Sequence, residues 1–352
     1  MRSPKRNSPA TPAVMEARQV EALPAGKGWQ YEPKWDGFRC LAMRDGKGIE
    51  LIGKSGKSLT RYFPEVSASL DRGSKAHFVL DGELVIPLDD GLSFDALQMR
   101  LHPAQSRIDR LARETPALLI VFDMLQSVEG EDIRPAPLVE RRRELEAFFR
   151  GHRVPDVLRL SPATHSRTEA EKWLKRAGGG ALDGVVAKRL DEPYRPGERT
   201  MLKVKCLRTA DCVVGGFRYA TGHEGQRHRL VGSLLLGLFN DEGRLDHVGF
   251  TSGIADNERA ALTRKLERLH GEGFTGRAPG GPSRWSTERS GEWEGVKPRL
   301  VAEVQYDHVT GDRFRHGTRF LRWRPDKSPR QCTFDQLQRE ARPSKMMKAI
   351  AG

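Results

Sequence analysis

The first 205 residues hold seven short apolar runs: GWQYEPKW, FRCLAMR, IELIG, FVLDGELVIP, LLIVFDML, DGVVAKR and MLKVK. Each is bounded by Gly, Pro, Asp or Asn, the punctuation of β-strands. Charges interrupt them. LDGELV sets Glu83 inside an apolar strand, where a carboxylate is costly unless it is paired, ligates a metal or holds a hydroxyl. LDGVVAKR repeats the pattern with Asp183 and Lys188. MLKVK places Lys203 and Lys205 two apart, so a strand there points both to one face.

Helices are expected between the runs. LVERRRELEAFFR carries Leu138, Leu145 and Phe149 among charges, and SRTEAEKWLKRAG opens with Ser166 and has Glu169 three residues on, a capping-box pattern. Strands and helices mixed without regular βαβ alternation predict an α+β fold, not a doubly wound sheet. After Lys205 the texture changes. CVVGGFRYATG, GSLLLGLFNDEG, RLDHVGFTSG, RLVAEVQYDHVTG and RFLRWRP read as five strands, with one helix, NERAALTRKLERLHG, set among them. That spacing fits an OB-type barrel. A chain of 352 residues, at roughly 150 per domain, divides in two. The expected layout is a disordered basic arm over 1–12, a first domain over 13–207, a barrel over 208–340 and a basic tail over 341–352, with CLRTADC as the hinge.

The stretch YEPKWDGFRC holds the sharpest question. Lys34 and Asp36 stand one residue apart among Trp35 and Phe38, with Arg39 just beyond. One reading is an amphipathic strand with a wet face. The other is a lysine that acts as a nucleophile, which needs neighbouring cations or desolvation to release its proton. Arg39, Lys203 and Lys205 supply such cations if their strands meet. Gly37 suits a turn or a close backbone approach. Glu83 and Asp183 could together hold Mg²⁺ or a ribose. Phe122, at the end of the apolar run that opens LLIVFDML, is a stacking platform for a purine or a plain core residue. The lysine pair is a phosphate clamp or the guarded edge of a sheet.

Composition narrows the partners. The net charge is +13 with pI about 9.8, which favours a polyanion, nucleic acid before membrane. No run approaches the ~18 apolar residues of a membrane span, and the N-terminus has no apolar core of a secretory signal. Cys40, Cys206, Cys212 and Cys332 form no C-x-x-C pair, so neither a zinc site nor a disulfide framework is expected. The chain reads as reduced, cytoplasmic and monomeric.

Taken in order, K-x-D-G, D-G-E, F-D, D-G-V-V-x-K and L-K-x-K followed by a barrel-like half resemble the covalent nucleotidyltransferase superfamily. Within it the phrases YEPKWDGFR, LTRYFPEV, VLDGELV, LDGVVAKRLDEPYRPGERTMLKVK, RFRHGTRFLRWRPDK and CTFDQL are similar to small bacterial ATP-dependent DNA ligases of the C and D types, from about residue 13 to about 337. The resemblance implies an adenylation (nucleotidyltransferase) domain of antiparallel sheets flanked by helices, then an OB-fold domain. It implies ATP and Mg²⁺ or Mn²⁺ as cofactors, nicked duplex DNA as substrate and a Ku-like end-binding partner, in nucleoid-associated repair. It implies that Lys34 becomes adenylated, that Glu32, Arg39, Glu83, Phe122, Arg199, Lys203 and Lys205 bind the nucleotide, and that Asp183 holds the metal. Arg322, Arg324 and Lys327 would orient pyrophosphate, and Lys54 would meet the 5′-phosphate of DNA. Three features depart from the family pattern: Lys54 stands where many ligases have arginine, Asp183 where many have glutamate, and RHGTRF, with Arg315 and Arg319, is one residue longer than the R-H-P-R-F of the D type. RNA ligases, GTP-using capping enzymes and a non-catalytic nucleic-acid-binding relative remain alternatives.

Overall fold

The computed structural model describes residues 13–337 apart from 45, 47, 74–76, 89–90, 152–153, 178–181, 221–228 and 281–291. The arm expected over 1–12 and the tail over 341–352 lie outside the described residues. The chain divides into two compact units between Cys206 and Leu207.

All seven apolar runs are strands. In the first unit they form two sheets. One has the order β1 (Ala17–Gln19), β9 (Met201–Lys205), β8 (Leu182–Arg189), β2 (Trp29–Trp35). The other has the order β4 (Ile49–Gly53), β3 (Phe38–Arg44), β5 (Phe78–Val85), β6 (Leu118–Gln126), β7 (Leu158–Leu160). Most pairs are antiparallel; β1 with β9 and β6 with β7 are parallel. The helices α4 (Leu138–Gly151) and α5 (Arg167–Arg176) are the two the sequence names. Ser166 caps α5 by accepting from the Glu169 N–H at 3.3 Å. On α4 the fully buried aromatic is Phe148, and Phe149 packs beside it. Three further helices, α1 (Pro64–Gly73), α2 (Phe94–Arg100) and α3 (Gln105–Glu114), escape the strand-centred reading. The apolar face of α3 is narrow, with Ile108, Leu111 and Ala112 buried among charged residues.

The packing explains the runs. Leu51, Leu80, Leu84, Leu119 and Val121 bury one face of the second sheet against Phe63, Val66, Leu145 and Phe148. Two buried ion pairs fix the helices, one to a strand and one to another helix. Arg141 of α4 forks onto Asp123 of β6 at 2.9 and 3.0 Å, and Arg100 meets Glu65 at 2.6 Å. Such pairs are costly to break because each leaves an uncompensated buried charge.

The second unit is a curled sheet in the order β12 (Leu245–Thr251), β11 (Val231–Phe239), β10 (Arg208–Tyr219), β13 (Val301–Tyr306), β14 (Arg319–Trp323). Its outer strands meet. Thr318, just before β14, donates to the Phe250 carbonyl at 3.0 Å and accepts from Thr251 Oγ1 at 2.9 Å, in a parallel bridge that closes the barrel. Helix α6 (Asp256–Arg268) sits between β12 and β13 in the chain and contributes Leu262 and Leu266 to the core. This is the five-stranded barrel with an inserted helix that the sequence predicts. One expectation shrinks. In CLRTADC the residues from Arg208 to Cys212 already pair with β13, so only Cys206 and Leu207 connect the units.

Candidate active site

The first unit holds a cavity of about 200 Å³ whose lining comes from both sheets. Strand β2 supplies Glu32 and Lys34, and β3 supplies Arg39, with only Asp36 and Gly37 between the two strands. The crossing is tight. A Cβ on Gly37 would stand 2.1 Å from the Leu84 carbonyl oxygen, so a side chain here would push the turn off β5. Gly37 is therefore required by the strand it crosses. Five of the seven β2 residues are buried, including Glu32 at 2 % exposure, so the strand has no wet face. Trp35 anchors it by donating from Nε1 to Ser161 Oγ at 2.9 Å. Phe38, half-buried, packs edge-on against Phe63 and Phe94 at the edge of the core.

Lys34 is aimed by its neighbour strand. Along β8 the register to β2 slips between Leu182, opposite Trp35, and Gly184, opposite Lys34. The slip is a bulge that re-aims a side chain, and it turns Asp183 toward Lys34. The Lys34 Nζ lies 2.5 Å from Asp183 Oδ2, and Lys205 Nζ reaches the same oxygen at 3.4 Å. Gly184 makes the bulge feasible: a Cβ there would stand 2.0 Å from the Val204 carbonyl oxygen.

Four other cations are also partnered. Arg39 forks onto the fully buried Asp81 at 2.6 and 2.7 Å, and its guanidinium lies 4.5 Å from the centre of the Phe122 ring. Tyr194 donates to the second Asp81 oxygen at 2.6 Å and accepts from the Met15 N–H at 3.0 Å, which ties the Val14–Glu16 wall to the same group. Lys188 meets Glu32 at 2.8 Å and stands 4.7 Å from the centre of the Phe122 ring. Gln30 donates to the other Glu32 oxygen at 2.7 Å. At the rim, Lys54 and Arg199 share Glu16 at 3.0 and 3.3 Å.

Glu83 and Lys203 are among the groups that feel the enclosure. Burial pushes the Glu83 carboxyl up to about 7, against the pull of Arg39 and Lys34. Burial, together with the charges of Lys34 and Lys205, holds the Lys203 amine below the usual lysine range. Both effects follow from putting ionisable groups in a partly dry pocket.

Of the residues singled out in the sequence, Glu32, Lys34, Arg39, Lys54, Glu83, Phe122 and Lys203 line this cavity. Asp183 and Lys205 stand beside Lys34. Arg199 does not share the lining: its side chain is 73 % exposed and reaches only Glu16 among the pairs formed here. Arg322, Arg324 and Lys327 lie on the barrel unit, where Arg322 pairs with Glu303 at 2.6 Å and both Arg324 and Lys327 hold Asp211, at 2.9 and 2.7 Å. Sequence reasoning assigned no role to Lys188, Asp81, Gln30, Tyr194 or Glu16. Asp81 had a signal, as a second carboxylate two residues before Glu83. Tyr194 had none, since it reaches the site across 113 residues of chain. Among the described residues no three His, Cys, Asp or Glu side chains cluster as metal ligands, and no helix is long and apolar enough to cross a membrane.

A lysine among paired cations in a two-sheet cavity, followed in the chain by a closed barrel, is the architecture of a nucleotidyltransferase. Comparison with known proteins supplies the family. Residues 14–205 match the profile described as the ATP dependent DNA ligase domain, and 227–327 match the ATP dependent DNA ligase C terminal region. The chain is 41 % identical to DNA ligase C2 of Mycolicibacterium smegmatis over 94 % of its own length and 95 % of that protein. It is 31 % identical to the multifunctional non-homologous end joining protein LigD of the same organism, over 88 % of this chain and 38 % of that protein. A solved structure from work on Lig E DNA ligases superposes with TM-score 0.56 at 18 % identity, covering 88 % of this chain and 100 % of that one, and speaks to the fold. The chain belongs to the ATP-dependent DNA ligase family.

Proposed function

We propose that this enzyme seals nicks in duplex DNA through an adenylate carried on Lys34. The observation that carries the reading is the Lys34 amine, held at 2.5 Å by Asp183 within a cavity whose other walls offer Arg39, Glu83, Phe122 and Lys203. Adenine would stack on Phe122 with Glu32 and Lys188 at its edge. Glu83 would take a ribose hydroxyl, and Arg39, Lys203 and Lys205 would take phosphate oxygens.

The chemistry is three nucleotidyl transfers. The Lys34 ammonium gives up a proton, and its nitrogen attacks the α-phosphorus of ATP. A P–N bond forms, the bond to pyrophosphate breaks, and the second proton leaves the nitrogen. An oxygen of the DNA 5′-phosphate then attacks the same phosphorus, the P–N bond breaks, and Lys34 is reprotonated. The 3′-hydroxyl finally attacks the activated 5′-phosphorus, loses its proton, and AMP departs. Positioning and charge neutralisation carry most of the rate.

Asp183 suits Mg²⁺ or Mn²⁺, because such ions take one or two carboxylates and complete their shell with phosphate and water. When bound, the ion would neutralise the ATP phosphates. Asp183 would then exchange Lys34 for the cation, leaving the amine freer to lose its proton. Arg322, Arg324 and Lys327 are assigned to the pyrophosphate, and Lys54 and Arg199 to phosphate at the cavity rim. The likeness to a non-homologous end joining protein supports service in repair at the nucleoid beside a Ku-like end-binding partner.

The test compares the parent with Lys34→Ala on nicked DNA and RNA duplexes, supplied with ATP, GTP or NAD. ATP alone should yield a labelled protein adduct and sealed DNA, and Lys34→Ala should lose both by at least about a thousandfold. An adduct formed only with GTP, or sealing that survives Lys34→Ala, overturns the reading.

A further inference from the structure

The barrel holds a group of cations that the sealing chemistry above does not use. His247 on β12 is buried to 4 % exposure, and its Nδ1 lies 2.9 Å from Arg313 Nη2. A guanidinium can only donate. The imidazole nitrogen must therefore accept, and the ring is neutral. Burial first, then the charges of Arg313, Arg218 and Arg277, press the His247 pKa down to about 3, so it stays neutral across any working pH.

Arg277 is fixed separately. Its guanidinium donates to the carbonyl oxygens of Gly311 and Asp312 at 3.5 and 3.4 Å, and its backbone N–H donates to Asp246 Oδ1 at 2.6 Å. Gly311 and Asp312 both have positive φ, so one tight turn carries the two carbonyls. Among the described residues neither the Arg277 nor the Arg313 side chain forms an ion pair with a carboxylate. Burial and the nearby Arg277 both act against the charge on Arg313. Two guanidiniums are thus held in place by neutral acceptors, with their charge uncompensated. That is an anion site in waiting, because a fixed guanidinium fork matches the paired oxygens of a phosphate.

We propose that Arg277 and Arg313, with His247 positioning Arg313, form a site for a backbone phosphate of duplex DNA on the barrel. The proposal rests on the DNA ligase reading and adds to it where the barrel grips its substrate. The cluster offers donors for phosphate, and the carboxylate beside it, Asp246, is engaged by the Arg277 N–H and the Asn240 amide, so it fits a phosphodiester better than a whole nucleotide. Its contribution is to affinity and register and carries no sequence preference.

The experiment measures binding of the full chain to a nicked duplex across a salt series, for the parent, Arg277→Gln, Arg313→Gln and Arg313→Lys. Each glutamine variant should bind about tenfold or more weakly, the size of a lost charge-assisted contact. The slope of log affinity against log salt should flatten by about 0.9 per lost phosphate contact. Arg313→Lys should restore the slope and only part of the affinity, since a point charge cannot fork. Lys172→Gln removes one charge from the surface of helix α5 and should leave both affinity and slope as they were. Melting temperatures check that the barrel is folded, and the exposed Arg277 keeps the test open should Arg313→Gln unfold it. Affinity within about twofold of the parent in Arg277→Gln, or an equal loss in Lys172→Gln, overturns the proposal. Lysyl-adenylate formation by the parent with ATP and no DNA stands apart: its failure would sink the ligase reading and not the phosphate site.

Discussion

In the cavity, Lys34, Arg39, Lys54 and Lys188 each meet a carboxylate within 3.0 Å. On the barrel, Arg277 and Arg313 meet carbonyl oxygens and a neutral imidazole instead. Both regions are rich in cations, yet they carry opposite accounts of charge. Lys203 apart, the cations of the cavity are neutralised from within, so a ligand that enters must exchange partners, and the site is ordered before it arrives. The barrel cluster keeps its charge for an anion that comes from outside. A site that does chemistry gains from preorganisation, and a site that only grips a polyanion gains from attraction.

The contrast can be broken most sharply at Asp183. Asp183→Asn should keep the fold and lower the rate of lysyl-adenylate formation by about a hundredfold or more, with a raised requirement for Mg²⁺. A rate within about threefold of the parent would mean that the Lys34–Asp183 pair is only packing. Next is Asp81→Asn, which leaves the Arg39 guanidinium partly uncompensated and removes the Tyr194 partner. Breaking such a buried pair costs about 3–5 kcal/mol, and denaturant unfolding would read it.

Glu83 gives a pH test. Its folded-state pKa, about 7, lies above the 4.5 of an exposed glutamate. The group therefore favours the fold most below pH 4.5, and that contribution fades as pH rises toward 7. In the ligand-free protein, Glu83→Gln should flatten this part of the melting-temperature profile. A profile parallel to the parent's would show that Glu83 is ionised and solvated. The smallest effect belongs to the barrel. Arg277→Gln should change the stability of the free protein by no more than about 0.5 kcal/mol, and at low salt the change should be upward, because a repulsive charge is removed. A loss comparable to that of Asp81→Asn would erase the distinction between the two regions.

The strands were legible because each run is short, apolar and bounded by turn residues. The site was legible in the order of its charged motifs, as Lys34, Glu83, Phe122 and Lys203 now stand around one cavity. Helices α1 to α3 were not legible, since their apolar faces are narrow and charge-rich. Nor was the partner network. Asp81, Gln30 and Tyr194 act through other side chains, and nothing in their local sequence marks a contact made across the fold. Arg199 shows the reverse case: it stands in a telling phrase, and its side chain lies at the rim beside Glu16, outside the lining.

The turn between β2 and β3 has a consequence for how this protein tolerates change. Lys34 belongs to one sheet and Arg39 to the other, and two residues join their strands. The turn is a ruler. One inserted residue adds up to about 3.5 Å of chain, enough to move the Lys34 amine out of register with Arg39 on the opposite sheet. The contact of Gly37 with the Leu84 carbonyl closes the other escape, since no side chain fits there. Libraries that vary length or bulk at these positions should return no active clones.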